Sequence, residues 1–462
     1  MPAMTITTLQ QKIDAAGDPV TMLRNSQAGP YVFPIAPEFS NWRDEQEAWR
    51  KTAILFDQSY HMTDLYVEGP DTVRLLSELG VNSFKGFQRD KAKQFVACNH
   101  DGYVIGDGVL CALENDKVIL IGRPPVSNWV NYHAVTGGYD VRVERDERSL
   151  ANPRPRRLYR FEVQGPNAWK ILEKVHGGPI PDIRFFAMGE IRIAGRPVRC
   201  LKHGMSGAPG LELWGPKEEG DEIRATLLEA GAEFGLRAGG ARAYSTVAIE
   251  SGWVPSPMPA IYSGEALRPY REWLPANGFE ANASLGGSMV SSRVEDYYLT
   301  PFDLGYGGFT KFDHDYIGRA ALERMAREPH RRKVTLVWNS DDVIRIFSTM
   351  FLAEGRAKYM DMPASHYATL PYDMITKDGR QVGISTYPVY TSNGRVWISL
   401  SMVDEALSAP GTEVSVVWGE PDGGSSKPVV ERHVQTTVRA TVGPCPFSDD
   451  ARTSYRPHVL KL

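Results

Sequence analysis

Cysteine is scarce in this sequence, with only Cys98, Cys111, Cys200 and Cys445 among 462 residues. The four lie far apart without paired spacing, which excludes a zinc site built from cysteines. Such scattered cysteines are typical of reduced thiols in a cytoplasmic protein. The ten histidines also lack metal-ligand spacing, so we expect no bound metal.

Long apolar runs and basic tracts are missing as well. The chain is 42% hydrophobic and 23% charged, but no apolar run approaches the roughly 20 residues of a membrane span. The net charge of -4 and the lack of a basic tract argue against a nucleic-acid surface. Residues 1–17 carry no basic segment followed by an apolar stretch, so we expect no secretion signal. Thr8–Ala16 predicts instead a short amphipathic helix that Gly17 ends.

The common catalytic signatures are absent too. The sequence contains no phosphate-binding P-loop, no G-x-G-x-x-G after a strand, no H-E-x-x-H and no G-x-S-x-G. The segment from Gly204 to Gly207 fails as a hydrolase elbow because Ala208 stands where a glycine is needed. These absences leave a cytoplasmic multi-domain α/β enzyme of unspecified chemistry.

A repeat is present in the N-terminal half. Asp64–Leu76 and Arg160–Leu172 share the pattern of a strand, a Gly-Pro turn and an apolar helix face. Asp71 and Asn167 follow the turns and are expected to cap the helices. The repeat predicts two related α/β units.

The pattern changes near residue 330. Before it, strands alternate with helices such as Asp221–Ala230 and Tyr316–Met325. After it, the pattern is almost entirely strand: Val334–Trp338, Gln381–Tyr387, Arg395–Met402, Glu413–Trp418 and Val434–Val442, with a turn at Ser392–Gly394. We therefore predict a C-terminal antiparallel β-barrel or jelly roll.

Several segments together resemble the glycine-cleavage T-protein family of tetrahydrofolate-dependent one-carbon transferases. Besides the strand-Gly-Pro-helix unit, they are Asp101–Asp107, Gly207–Trp214, Ala248–Gly252, Asp315–Leu322 and the β-rich tail. Within that family the chain is most similar to the tetrahydrofolate-dependent aryl O-demethylases that act on vanillate and syringate. That similarity covers essentially the whole chain, including Met22–Gln27, Ala36–Trp42, Glu250–Pro257 and Tyr270–Asn277.

The resemblance implies an α+β fold with three domains around a central folate cavity. Residues 1–60 and 151–329 would form a folate-binding α/β unit, 61–150 a second α/β unit and 330–462 the β-barrel. The implied activity is transfer of an O-methyl group from syringate to tetrahydrofolate, giving 3-O-methylgallate and 5-methyltetrahydrofolate during catabolism of lignin-derived aromatics. No obligate protein partner is implied.

Other activities stay open at this stage. Vanillate or 3-O-methylgallate could replace syringate, or a small aliphatic methyl donor could be used. A catalytically silent folate-binding regulator is a further alternative. The segment Arg242–Glu250 lacks the arginines and aspartate of the T-protein, and Gly106-Asp107 leaves one of its two aspartates. Both departures argue against the aminomethyl-lipoyl reaction.

A departing phenolate needs a proton or strong hydrogen bonds. Tyr244 is the candidate acid, because a tyrosine pKa of about 10 is close to that of the phenol formed, and the aryl demethylases carry a functional tyrosine in this Arg-Ala-Tyr motif. The resemblance places His61 at the ring hydroxyl of the substrate, with Gln58 and Tyr31 nearby. The alternatives are a tyrosine that merely caps a strand and a structural histidine.

An arginine and an aspartate complete the predicted catalytic and substrate-binding set. Arg123 ends the strand Lys117–Gly122 and precedes two prolines, so its guanidinium group is expected to bind a benzoate carboxylate in bidentate fashion. The alternative is a solvated arginine at the end of a strand. Asp107 would orient or accept a proton from the folate amine, or would only cap a turn.

The pterin ring requires a carboxylate, since its amidine edge offers two N–H donors in one plane. The resemblance assigns this role to Glu212 in the Gly-Leu-Glu-Leu-Trp motif. Trp253 and Gln164 are expected as second contacts, through ring packing and hydrogen bonding.

Overall fold

Two large open sheets, a closed barrel and a small two-stranded parallel sheet (Leu285–Gly286 with Leu370–Pro371) organise the chain in the computed structural model. The structure describes residues 6–149, 152, 154–424, 427 and 429–455. The strands, in chain order, are β1 (Ala53–Asp57), β2 (Thr63–Glu68), β3 (Ala92–Cys98), β4 (Val104–Ala112), β5 (Lys117–Gly122), β6 (Arg142–Asp146), β7 (Leu158–Gln164), β8 (Met188–Ile193), β9 (Arg196–Leu201), β10 (Gly210–Pro216), β11 (Leu236–Gly239), β12 (Leu285–Gly286), β13 (Arg332–Trp338), β14 (Leu370–Pro371), β15 (Asp373–Lys377), β16 (Arg380–Thr391), β17 (Val396–Val403), β18 (Glu413–Trp418) and β19 (Thr436–Gly443).

Helices cover the sheets and connect their strands. They are α1 (Leu9–Ala16), α2 (Pro19–Asn25), α3 (Trp42–Lys51), α4 (Thr72–Leu79), α5 (Pro124–Thr136), α6 (Ala168–His176), α7 (Gly220–Gly231), α8 (Ala241–Glu250), α9 (Arg268–Trp273), α10 (Phe279–Asn282), α11 (Arg319–Met325), α12 (Ser340–Thr349) and α13 (Asp449–Thr453). Short 3-10 turns occupy Lys217–Glu219, Ala232–Phe234, Glu265–Leu267, Val294–Tyr297 and Glu405–Leu407.

The sheet topology confirms the predicted α+β class. One sheet has five antiparallel strands in the order β3-β4-β5-β2-β6. A six-stranded sheet has the order β11-β1-β7-β10-β9-β8, in which only the β1–β11 pair is parallel. After residue 330 the strands close into an antiparallel barrel, β13-β17-β16-β15-β18-β19. The predicted alternative of a barrel or jelly roll is thus decided in favour of a closed barrel.

The hydrophobic cores extend across these sheets. Side chains of α1, of α2 and of residues 254–304 pack into the same core as the five-stranded sheet, although the predicted division groups them with the other unit. The barrel has a core of its own, around Trp338 and Trp418. The division at residues 61, 151 and 330 stays a prediction about folding units.

The internal repeat is present as predicted. β2 leads into α4 and β7 leads into α6, and the glycines at the two turns, Gly69 and Gly165, have φ angles of +144° and +135°. Neither Asp71 nor Asn167 caps its helix as expected. Asp71 instead accepts hydrogen bonds from Arg74 and from a main-chain N–H, and the Asn167 amide donates to a carbonyl.

Corresponding positions of the repeat meet in a buried ion pair. Asp64 opens the first copy and Arg160 the second, and the Arg160 Nη2 atom lies 3.5 Å from Asp64 Oδ1. Arg156 binds the other carboxylate oxygen at 2.9 Å. Removing one partner would leave a buried charge without compensation, so this contact ties the five-stranded sheet to the six-stranded one.

Local capping explains two helix starts. Thr8 forms a capping box with Gln11, and Gly17 ends α1 at φ +88°, as the sequence predicts. The prediction of an almost entirely β structure after residue 330 misses α12 and the short α13. Helix α12 begins where the Asn339 side chain accepts a hydrogen bond from the Asp342 N–H. That cap lies directly after a strand, and the strand pattern hides it.

Chemical features of the described residues bear on the function class. No helix in the described ranges is long and apolar enough to cross a membrane. Cys98, Cys111 and Cys200 are buried free thiols. Within the same residues, no group of histidine, cysteine and acidic side chains has the arrangement of a metal site.

The close approach at Gly165 gives a test of the repeat. A Cβ there would lie 2.6 Å from the Thr52 carbonyl oxygen, and the φ angle of +135° disfavours any other residue. Gly165→Ala should therefore lower the free energy of unfolding by about 2 to 4 kcal/mol, measured by urea denaturation. Gly178→Ala, whose Cβ meets nothing within 4 Å, is the control, and equal effects of the two changes would contradict the tight-turn explanation.

Candidate functional site

Helix α8 carries the central tyrosine of the site. Tyr244 is 5% exposed, and its ring packs edge-on between Phe33 and Phe56, with centroid distances of 5.0 Å to each. The alternative that this tyrosine caps a strand is therefore wrong. The two aromatic contacts fix the direction in which the hydroxyl points.

The hydroxyl meets two of the predicted site residues. Tyr244 Oη lies 2.9 Å from His61 Nε2, and the Gln58 amide donates a hydrogen bond to the same oxygen at 3.3 Å. Gln58 and His61 lie in the connection between β1 and β2. The amide of Gln58 also donates to the Glu162 carboxylate, so the four side chains form one hydrogen-bonded chain.

Burial makes both members of the central pair neutral. Desolvation, assisted by the charges of Arg123 and other arginines, lowers the pKa of His61 to about 3. Desolvation also raises the pKa of Tyr244 well above 10, and Glu162, when it is ionised, and Glu212 act in the same direction. The predicted match between the tyrosine pKa and that of a phenol thus does not hold in this site. Tyr244 is better suited to donate a hydrogen bond than to lose its proton before the reaction.

Two cavities meet at this pair. The first has a volume of about 760 Å³ and the second about 440 Å³. Five residues line both: His61, Met62, Met205, Tyr244 and Trp253. Molecules bound in the two cavities would therefore approach each other beside the tyrosine hydroxyl.

The first cavity has a cationic wall. Arg123 directly follows β5 and opens α5, as the sequence predicts, and its Nε is buried without a hydrogen-bond partner among the described residues. Tyr31 lines the same cavity and donates to the Tyr60 carbonyl at 3.1 Å. Arg148 lies over the Tyr31 ring, with its Cζ 4.7 Å from the centroid. These two arginines make the cavity favourable for an anion.

The sequence analysis did not predict Arg148 as a site residue. It stands at the end of the charged run from Arg142 to Arg148, which resembles an ordinary solvated strand edge. Only the fold turns its side chain toward the cavity, so no local signal could have identified it.

The second cavity contains Glu212, on β10. Its Oε1 lies 2.7 Å from His203 Nδ1. Burial alone would raise the pKa of Glu212, but the charge and hydrogen bond of His203 prevail and lower it. The result is a buried, ionised carboxylate in the cavity wall.

Gln164 is placed differently from the prediction. Its side chain is fully buried and is not among the described residues that line either cavity. The amide donates to the His203 carbonyl at 3.1 Å and accepts from Ser206. This placement supports the loop that carries His203 and does not favour a direct contact with a ligand.

Asp107 lines the second cavity from β4. The prediction allowed for a turn, but the residue lies within the strand, where its Oδ2 accepts hydrogen bonds from Trp253 at 3.0 Å and from Tyr306 and Gln94 at 2.7 Å. Burial raises the pKa of Asp107, although the hydrogen bonds from these three donors lower it. Trp253 thereby holds the aspartate as well as lining both cavities.

Glu162 is a further acid that the sequence analysis missed. It pairs across strands with Glu212 and is completely buried. Burial, together with the negative charge of Glu212, raises its pKa to about 8. A signal existed in the alternation of Arg160, Glu162 and Gln164, which puts three polar side chains on one face of a strand.

Comparisons with known proteins agree with this arrangement. A family model described as the GCVT N-terminal domain matches residues 20–256. A syringate O-demethylase of Sphingobium sp. (strain NBRC 103272 / SYK-6) is 50% identical over 449 residues, covering 97% of each chain. A sesamin methylene transferase of Sinomonas sp. (strain No.22) is 30% identical over 428 residues, covering 89% of this chain and 90% of that one.

A solved structure shares the fold. The glycine cleavage system aminomethyltransferase T from Bartonella henselae aligns with a TM-score of 0.60 at 17% identity, covering 94% of this chain and 98% of that chain. This likeness confirms the predicted T-protein-like architecture. Together with the family model and the two relatives, it confirms the resemblance found in the sequence: the chain belongs to the GCVT family, the family of the glycine-cleavage T-protein.

Proposed function

We propose that the chain is a tetrahydrofolate-dependent O-demethylase that takes the methyl group of a 4-hydroxy-3-methoxybenzoate, with syringate as the substrate. The products are 3-O-methylgallate and 5-methyltetrahydrofolate, and the role is in catabolism of lignin-derived aromatics. One observation carries the proposal: Tyr244 stands in the wall shared by a cationic cavity and a cavity with a buried carboxylate. The name of the Sphingobium relative supports the choice of syringate.

The first cavity fits the aromatic acid. The free guanidinium edge of Arg123 suits a planar carboxylate. Tyr31 and Phe33 offer aromatic walls, and the neutral His61 ring can hydrogen-bond the 4-hydroxyl group. The acid would thus lie with its methoxy group toward Tyr244.

The second cavity fits a reduced folate. Hydrogen bonding to His203 leaves the second oxygen of the ionised Glu212 toward the cavity, where it can accept from a pterin N–H edge. Tetrahydrofolate would supply a secondary amine as methyl acceptor. Trp253 lines both cavities and offers a ring face for packing.

The chain's residues serve the bond changes of the transfer. The methyl carbon leaves the aryl oxygen for the acceptor nitrogen, the aryl oxygen departs as a phenolate that takes up a proton from water, and the acceptor nitrogen loses a proton. Tyr244 donates its O–H hydrogen bond to the aryl oxygen as negative charge develops there. His61 and Gln58 hold the tyrosine oxygen in place. Asp107 accepts the proton that the folate nitrogen loses, because three hydrogen bonds hold its carboxylate in place and its pKa is raised.

We also propose the compartment and the partners of the enzyme. We assign it to the cytoplasm, acting on small molecules without an obligate protein partner. The free thiols of Cys98, Cys111 and Cys200 support a reducing compartment.

The direct test incubates the purified protein with tetrahydrofolate and a panel of methoxylated acids, and identifies the products by mass. Syringate should give 3-O-methylgallate and 5-methyltetrahydrofolate in equal amounts. Faster turnover of vanillate would correct the substrate. Transfer from an aliphatic donor alone, or no transfer from any of them, would reject the aryl demethylase.

Tyr244→Phe tests the hydrogen bond to the leaving group. The variant keeps the ring packing against Phe33 and Phe56, so both ligands should bind normally while kcat falls about 100-fold or more. The loss should shrink for ethers whose phenolate carries an electron-withdrawing substituent. A kcat within threefold of the wild type would remove Tyr244 from this role.

Arg123→Ala tests the anion site. We expect KM for a methoxybenzoic acid to rise about 10- to 100-fold, the scale of a lost charge-assisted hydrogen bond, and KM for the methyl ester to change far less. Arg123→Lys, which keeps the charge but loses the planar fork, should fall between these values. Equal losses for acid and ester would mean that Arg123 is structural.

Glu212→Gln tests the folate cavity. The amide turns an N–H toward the pterin edge, so binding of tetrahydrofolate should weaken by about 1.5 to 3 kcal/mol, measured by calorimetry. Binding of the aromatic acid, in the other cavity, should stay unchanged. Unaltered folate affinity would refute the assignment of Glu212.

A further inference from the structure

Glu162 has no part in the scheme above, although it lies at the reaction site. It projects from β7, its side chain is fully buried, and it reaches Tyr244 through a single intervening side chain, Gln58. Its Oε1 accepts from the Ser206 N–H at 3.2 Å. A buried carboxyl beside the acid group of a reaction is a candidate for control of that group.

The hydrogen bonds around Glu162 fix the orientation of the Gln58 amide. An amide can present either its oxygen or its nitrogen to a neighbour. The acceptor oxygen of Glu162 selects the nitrogen, and the same NH₂ group then donates to the Tyr244 oxygen. A neutral carboxyl keeps an acceptor oxygen and therefore performs this action as well as a carboxylate does.

The surroundings favour the neutral form of Glu162. Glu212 faces it from β10 as an ionised carboxylate. The cation on its own strand, Arg160, is paired with Asp64 instead. Near this site His203 is bound to Glu212, and Tyr244 and His61 are neutral. Hydrogen bonds from the Met205 and Ser206 N–H groups and from Gln58 favour the carboxylate form of Glu162, but burial and the charge of Glu212 outweigh them.

We propose that Glu162 is a positioning residue for the demethylation: as a neutral acid it holds the Gln58 amide against Tyr244, and its ionisation opposes the reaction. The inference rests on the proposed function, because it concerns the group that assists the leaving phenolate. A negative charge behind Tyr244 disfavours the negative charge that develops on the aryl oxygen in front of it.

The consequence is a decline of turnover at alkaline pH. The pKa of Glu162 is raised to about 8, by burial first and by Glu212 second. Below that pH the acid is neutral and kcat is level. Above it the acid loses its proton, and kcat should fall toward tenfold for each further pH unit, as for any group that must be protonated.

The test compares kcat for syringate, at saturating tetrahydrofolate, between pH 6.5 and 9.5. Glu162→Gln keeps an acceptor for Gln58 but cannot ionise, so its kcat should stay level where that of the wild type falls. Glu162→Asp should restore the decline. Asp373→Asn, which removes another buried acid with a raised pKa, outside both cavities, is the matched control and should decline like the wild type.

An infrared titration gives a readout that does not need activity. The carbonyl band of a protonated carboxyl should disappear from the wild-type spectrum between pH 7 and 9 and be absent from that of Glu162→Gln. A missing band in the wild type, or an unchanged alkaline decline in Glu162→Gln, would overturn the inference. A wild type that shows the band but no demethylation would reject the proposed function and leave the ionisation of Glu162 established.

Discussion

The hydrogen bond between Tyr244 and His61 organises the site, because it closes the wall between the two cavities with polar groups that burial keeps neutral. Its length of 2.9 Å depends on aromatic packing around Tyr244 on one side and on the β1–β2 connection on the other. In such a desolvated wall each nearby charge acts strongly. Burial, assisted by the charges of Arg123 and other arginines, holds His61 neutral, and burial together with the charge of Glu212 keeps the proton on Tyr244.

The site exists only where the α/β sheets meet. Arg123 and Asp107 come from the five-stranded sheet, Glu212 from the six-stranded one, and Gln58 and His61 from the chain that crosses between them. The buried Asp64–Arg160 pair fixes the two sheets at the corresponding positions of the repeat. The repeat therefore does more than duplicate a fold, since a contact between its two copies joins the two sheets that carry the site residues.

The sequence predicted what local patterns encode. The strand-turn-helix repeat, the barrel strands and the position of Arg123 after β5 follow from periodicity and from turn residues, and the family resemblance added the remaining candidates. The sequence could not show that Asp107 lies within a strand or that the Gln164 side chain lines neither cavity, since both depend on how distant strands pair. Glu162 and Arg148 were missed for the same reason, because each acquires its surroundings only when the sheets dock. The shifted pKa of Tyr244 is likewise a property of burial that no motif reveals.

The central claim is that the two cavities hold the methyl donor and the acceptor at the same time, on opposite sides of Tyr244. A crystal structure of the protein with syringate and the unreactive analogue folic acid would test it most directly. The account predicts the syringate carboxylate at Arg123, the pterin at Glu212, and the methoxy carbon about 3 to 3.5 Å from the acceptor nitrogen, with the ether oxygen within hydrogen-bonding distance of the Tyr244 hydroxyl. Both ligands in one cavity, or a methoxy group turned away from Tyr244, would contradict it.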